Sequence, residues 1–272
     1  MKKVSIIMGI YNCENTLERA IDSVVEQTYQ EWELIMCDDA STDRTYEIAQ
    51  KYEKKYPDKI RLIRNEQNCR LAYSLNKCLE VASGEYIARL DADDYCAKNR
   101  LEVQVEYLNA NRDVAVVGCG RTLFDENGVR NSIHYKENPT PKDILKITPF
   151  AHPTIVARKE VYDALSGYRS NKDTMRAEDI DLWFRFYEHG YKGVNIQEAL
   201  YYYHESLEDM KKRNFKAAVG TAKVISNGIT RMKWPKIYKI YALRPIVSYL
   251  VPNFIMIYFH EKLDKRVKCE KV

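Results

Sequence analysis

Asp91, Asp93 and Asp94 fall within four residues of one another, in the run Ile87 to Tyr95, with no lysine between them. Three carboxylates so close repel, and the cluster is unfavourable until a cation answers it. Hard oxygen ligands on a tight turn suit Mg²⁺ or Mn²⁺, which keep waters and bind through one or two carboxylates plus a substrate phosphate. A solvated acidic turn is the plain alternative. Other polar sets punctuate the chain: Tyr11-Asn12, Asp38-Asp39 and Glu178-Asp179.

The intervening pattern says how these sets are positioned. Val4 to Met8, Glu33 to Cys37, Ile60 to Arg64 and Tyr86 to Leu90 read as short strands. Between them, Leu17, Ala20, Ile21, Val24 and Val25 recur at helical spacing, as do Ile48, Ala49 and Tyr52, and then Leu71, Leu75, Leu79 and Ala82. Ser41 or Asp43 is placed to cap the second of these helices. Alternation of this kind predicts an α/β fold, a Rossmann-like, mostly parallel sheet flanked by helices. Such sheets bind ligands outside the carboxyl ends of their strands, where Tyr11-Asn12, Asp38-Asp39 and Asp91-Asp93 all fall. Further on, a helix with Leu101, Val105 and Leu108 and a strand from Val114 to Gly118 are expected. Residues 124–149, with Gly128, Pro139 and Pro141, read as irregular, and the helix after Glu178-Asp179 stops at His189-Gly190.

No Gly-x-Gly-x-x-Gly follows the first strand, and no Gly-Lys-Ser/Thr loop occurs. Pyrophosphate is therefore not cradled by a glycine-rich turn, and a metal on the aspartates can take that task. The pattern points to a nucleotide-sugar enzyme rather than a dehydrogenase or an NTPase. Seven scattered cysteines, never spaced Cys-x-x-Cys, argue against a disulfide framework or zinc site and for a reducing compartment.

These motifs together resemble the family 2 glycosyltransferases of the glycosyltransferase-A fold, in the branch that builds bacterial capsule and other envelope polysaccharides. The resemblance rests on Val4-Ser5-Ile6-Ile7-Met8 with Tyr11-Asn12, on Asp38 to Asp43, on Gly84 to Asp94, and on Glu178 to Trp183. It implies an inverting transfer from a UDP-sugar. Asp39 would contact the uracil, Tyr11 and Asn12 would line the nucleotide pocket, and Asp91 would lie near ribose and sugar. Asp93 would hold the ion, and Asp179, paired with Glu178, would be the general base. The family's Asn-x-Gly-Leu is Asn68-Cys69-Arg70-Leu71 here, so Arg70 either adds a cation near the nucleotide or is a surface substitution. His204 is a candidate metal ligand or a packed histidine. His152, before Pro153, faces the acceptor or is structural, and Trp183 reads as core. A nucleotidyltransferase would need a basic glycine-rich loop after the first strand, and a glycan-binding protein without transfer activity would need neither Asp93 nor Asp179.

Charge divides the chain unevenly. Residues 211–272 carry 15 basic and 3 acidic side chains, and the preceding 210 carry 28 and 36. The expected organisation is a catalytic domain over 1–205, with a nucleotide-binding half to about 122 and an acceptor half over 123–205. A helical, basic and apolar extension over 206–272 completes it. Ile240 to Phe259 is apolar but interrupted by Arg244, Pro245 and Pro252, a poor membrane span and a better element for an anionic headgroup region. Packing on the body is the alternative. The expectation is a cytoplasmic protein peripheral to the inner face of the cell membrane, with a glycan or lipid-linked oligosaccharide acceptor and no nucleic-acid partner.

Overall fold

The apolar runs become buried strands because helices cover both faces of the sheet they form. The computed structural model describes residues 2–205 and 214–251. Strands β1 (Val4–Ile10), β2 (Trp32–Asp38), β3 (Ile60–Arg64) and β4 (Tyr86–Arg89) pair in parallel in the order β3-β2-β1-β4. The crossovers between them are α1 (Leu17–Val25), α2 (Thr45–Lys55) and α3 (Leu71–Val81). Ile6 and Met8 point to one buried layer and Ile7 to the other, as the two-residue strand period requires.

Beyond β4 the sheet changes character. β5 (Tyr95–Cys96), α4 (Arg100–Ala110), β6 (Val114–Asp125), β7 (Gly128–Ile133), β8 (Val156–Arg158), α5 (Lys159–Leu165), α6 (Glu178–Glu188) and β9 (Lys192–His204) follow. β8 is antiparallel to both β4 and β6, β9 runs parallel to β6, and β5 closes the far edge antiparallel to β9. The mostly parallel expectation thus describes the first half, and the whole sheet is mixed. The irregular reading of 124–149 is corrected in part: Asn127-Gly128 turns β6 back into β7, with Gly128 at φ 115°. That dipeptide is a hairpin signal and was legible. β6 also runs far past Gly118, straight through residue 122.

Of the two cap candidates, Asp43 takes the role: its Oδ1 accepts from the amide of Thr45, the first residue of α2, although Arg44 stands between them. Asp43 Oδ2 also accepts from the Glu14 amide, and Ser41 Oγ accepts from the Asn12 amide rather than from the helix, so both side chains fasten the loop after β1 to the end of β2.

Helix α7 (Phe215–Arg231), a 3-10 segment (Lys236–Leu243) and α8 (Arg244–Leu250) lie against the body. A Cβ on Gly228 would collide with the Phe184 ring, so α7 meets α6 at nearly backbone distance. The Trp234 ring lies tilted against Phe184 at 6.2 Å, Ala242 is buried, and Arg244 Nη1 donates to the Leu145 carbonyl at 2.7 Å. Buried Asp181 on α6 is ringed by Arg185 at 2.7 Å, Arg169 at 3.2 Å and Arg231 of α7 at 3.5 Å. The expectations for Lys211 to Arg213 and for Pro252 to Phe259 lie outside the described residues.

Candidate active site

The acidic turn hangs from β4 and is held on every side by polar groups. Arg89, the last residue of that strand, is a fully buried guanidinium whose Nη1 lies 2.6 Å from Asp91 Oδ1. Its Nε has no hydrogen-bond acceptor. Behind it, Arg100 on α4 is equally buried and donates to the carbonyls of Arg89, Pro153 and Ile155. Gln104, one turn on, bonds Arg100 and the carbonyls of Val117 and Thr154. This polar brace under the turn was missed from sequence, because Arg and Gln on an amphipathic helix ordinarily read as solvated.

The three aspartates bring ligand oxygens within 4.8 Å of one another, but they are not equivalent. Asp94 is buried and committed: Tyr201 Oη donates to one oxygen at 2.7 Å and the His204 amide to the other at 2.7 Å. Asp91 receives its ion pair from Arg89. Asp93 reaches solvent, and no neighbouring side chain donates to it among the described residues. Desolvation, then the Asp91 charge, pushes its carboxyl up to about 6. A carboxylate that is unpartnered, electrostatically unfavourable and open to a crevice is a fitting ligand for a divalent cation.

That crevice, about 410 Å³, is lined by Tyr11, Asn12, Asp91, Asp93 and His204 together with Gly9 and Thr16. Residues from the ends of β1, β4 and β9 meet there, and Asp38 and Asp39, expected on the same rim, do not line it. Tyr11 is half exposed, and Asn12, at φ 46°, accepts from the Thr42 amide through Oδ1. His204 packs its ring 5.2 Å from Phe124 and presents Nε2 3.7 Å from Glu126. Asp91 and Asp93 offer carboxylate oxygens suited to Mg²⁺ or Mn²⁺, while His204 lines the crevice outside that cluster of ligand oxygens.

Asp39 and Arg70 form a second unit. The buried Asp39 carboxylate accepts from Asn65 Nδ2 and from the amides of Cys69 and Arg70, each at 2.8 Å. Arg70 sits at φ 75°, a conformation that favours glycine, and the carboxylate beneath it holds the loop there. Arg70 and Glu178 line a separate cavity of about 570 Å³.

Glu178 and Asp179 occupy the first turn of α6, where the helix dipole favours negative charge. Asp179 Oδ1 accepts from the Ile180 amide at 2.8 Å. Desolvation raises the Asp179 carboxyl above the ordinary range, and desolvation plus the Asp179 charge push Glu178 up to about 7. The positive charge of Arg89 lowers both, and the Asp91 charge raises Glu178 further. Raised carboxyls protonate early on acidification. Initial rates of transfer should therefore fall already between neutrality and the ordinary carboxylate range, and a flat profile down to pH 5 would contradict this assignment.

His152 does not face an acceptor. It is buried, its Nε2 lies 2.8 Å from Tyr168 Oη, and burial holds its pKa well below the ordinary value. Trp183 is core, as expected.

A crevice with a metal-competent turn at the strand ends of a helix-flanked sheet, and a carboxylate pair opening a separate helix, fit the glycosyltransferase-A fold. The family model described as Glycosyl transferase family 2 matches residues 5–165, and the chain belongs to that family. EpsE of Bacillus subtilis (strain 168) is 47% identical over 260 residues, covering 96% of this chain and 94% of that one. The Escherichia coli UDP-Glc:alpha-D-GlcNAc-diphosphoundecaprenol beta-1,3-glucosyltransferase WfaP is 26% identical over 227 residues, covering 84% and 87%. Among solved structures, S. aureus TarS 1-349 in complex with UDP superposes with a TM-score of 0.65 at 23% identity, covering 87% of this chain and 68% of that one. The chain is a glycosyltransferase with the glycosyltransferase-A fold.

Proposed function

We propose that the protein moves a sugar from a UDP-sugar to a lipid-linked glycan in bacterial surface polysaccharide synthesis, with inversion at the anomeric carbon. The observation that carries this reading is an open metal-competent turn, Asp91 to Asp93, at the end of β4, together with a carboxylate pair, Glu178-Asp179, in the first turn of α6. Asp93 and His204 would hold Mg²⁺ or Mn²⁺, with Asp91 beside them at the ribose and sugar. When bound, the ion neutralises charge on the departing diphosphate. Tyr11 offers its exposed ring to the uracil, and Asp39 retains lone pairs that can accept from the uracil N–H. Asp179 removes the proton of the acceptor hydroxyl, Glu178 orients that hydroxyl, and direct displacement from the opposite face inverts the centre. The UDP complex of TarS, and the UDP-Glc donor and diphosphoundecaprenol-linked acceptor of WfaP, support the donor and acceptor classes.

The test is a screen of UDP-sugars for Mn²⁺-dependent UDP release, with GDP-mannose as the control donor. Release from a UDP-sugar that disappears in Asp93→Ala supports the reading, and release from GDP-mannose alone overturns the donor class.

Attachment to the inner face of the membrane belongs to the same proposal. No helix among the described residues is long and apolar enough to span a bilayer. Ile237, Ile240, Leu243, Val247 and Leu250 are more than half exposed, and Lys236, Lys239 and Arg244 stand among them with no acid between Met232 and Val251. Basic residues around exposed apolar ones fit an anionic lipid surface. Trp234 and Ala242 belong to the core, so point changes test this better than truncation. Ile240→Glu with Leu243→Glu should abolish co-sedimentation with phosphatidylglycerol vesicles and leave UDP binding intact, whereas unchanged sedimentation would refute the attachment.

A further inference from the structure

Within the acidic turn, the residues on either side of Asp93 are pinned by the frame around them. The Asp91 amide donates to Tyr201 Oη at 3.1 Å, and Asp94 is held through both carboxylate oxygens. The Asp93 carboxylate has no such donor, but its backbone carbonyl has one: Arg19 Nη2, on α1, donates to it at 3.0 Å. Among the described residues no other side chain bonds the Asp93 backbone. Arg19 stands three residues past Thr16, which lines the crevice, so the helix bordering the crevice also reaches across to the turn.

An exposed arginine on a helix ordinarily samples many rotamers, and a single hydrogen bond in water does little to hold it. Here the guanidinium is seated. Its central carbon lies 4.5 Å from the centre of the Phe124 ring and 5.3 Å from that of Tyr95. Those rings are themselves fixed: Phe124 is buried, and Tyr95 lies 5.0 Å from it and stacks on Tyr202 at 4.4 Å, with planes 6° apart. A planar cation resting on aromatic faces keeps a set direction for its N–H groups, and one of them meets the Asp93 carbonyl. The Phe124 ring also carries His204, 5.2 Å away, so α1, β6 and the end of β9 converge on one aromatic seat beside the crevice.

We propose that Arg19 is a positioning residue for the metal-binding turn. Through the Asp93 carbonyl it fixes the peptide so that the Asp93 carboxylate faces the crevice. The proposal rests on the metal reading of that turn and deepens it. Groups that orient a metal ligand without touching the ion contribute about 10–100-fold to metal affinity. A nearby positive charge with no positioning role would act in the opposite direction, since its removal relieves repulsion and tightens the binding of a cation.

The experiment reads that direction. The full chain with UDP is titrated with Mn²⁺, and free Mn²⁺ is followed by electron paramagnetic resonance. Arg19→Met keeps a stem of similar length and removes every donor; it should weaken Mn²⁺ binding by about tenfold or more. UDP affinity at saturating Mn²⁺, measured by calorimetry, should stay within about twofold, well short of the tenfold that one strong contact represents. The melting temperature of the metal-free protein should stay within about 2 °C, as for other surface substitutions. Mn²⁺ binding that is unchanged or tighter in Arg19→Met overturns the proposal and leaves the metal reading standing. Loss of UDP affinity at saturating Mn²⁺ overturns it by assigning Arg19 to the donor itself, and a larger drop in melting temperature overturns it by assigning Arg19 to the fold. Wild type that holds no Mn²⁺ in the presence of UDP removes the metal reading and the proposal together.

Discussion

Asp179→Asn should slow sugar transfer by roughly 10²–10⁴-fold, the usual contribution of a general base, with UDP affinity and melting temperature essentially unchanged. The amide is isosteric and can still accept from the Ile180 amide through its oxygen, so the first turn of α6 has no cause to rearrange. What is lost is the capacity to take a proton. Single-turnover transfer measured alongside UDP calorimetry separates the two effects. A variant that transfers at more than a tenth of the wild-type rate would remove Asp179 from the chemistry.

The second large effect concerns stability. Asp91→Ala should destabilise the protein by about 3–5 kcal/mol, because it strips the partner from a charge that stays buried. Arg89 is the group left behind, its side chain 2% exposed against 28% for Asp91. At the usual sensitivity of chains this size, that is a fall of roughly 10 °C in melting temperature. Asp93→Ala, which removes an open carboxylate and relieves repulsion, should leave the melting temperature within about 2 °C, as surface substitutions do. The double change Asp91→Ala with Arg89→Met should recover part of the loss, since a pair removed together costs less than a pair broken. Equal melting temperatures for the two single alanine variants would show that the ion pair does not support the turn. With the expected difference, two aspartates two residues apart fail by different routes, one by losing the ion and the other by losing the frame.

The contrast between these neighbours also marks what could be read from the chain alone. Strands β1 to β4 and their crossovers were legible because burial on both faces writes itself as continuous apolar runs, while α1 and α3 keep a helical stripe. Placement of Tyr11, Asn12 and Asp93 on one rim followed from that topology. The second half was harder. β8 is three residues long and carries no periodicity of its own, and its antiparallel partners lie far away in sequence. Arg89, Arg100 and Gln104 were opaque for a different reason: a buried charge is visible only once its acceptors, here mostly backbone carbonyls, are assembled around it. Asp94 looked like a third ligand, and only its bonds to Tyr201 and the His204 amide show it to be part of the frame. His152 stays open between an acceptor and a structural role until the fold brings Tyr168 against it.

The absent side chain at Gly228 has a practical consequence. The aromatic ring it admits belongs to the helix whose first turn bears Glu178 and Asp179, so α7 packs directly on the element that carries those carboxylates. A fragment ending at the last strand, made to simplify expression, should be expected to lose turnover together with any hold on lipid, and Gly228→Val in the intact chain would reproduce the damage to turnover without removing a residue.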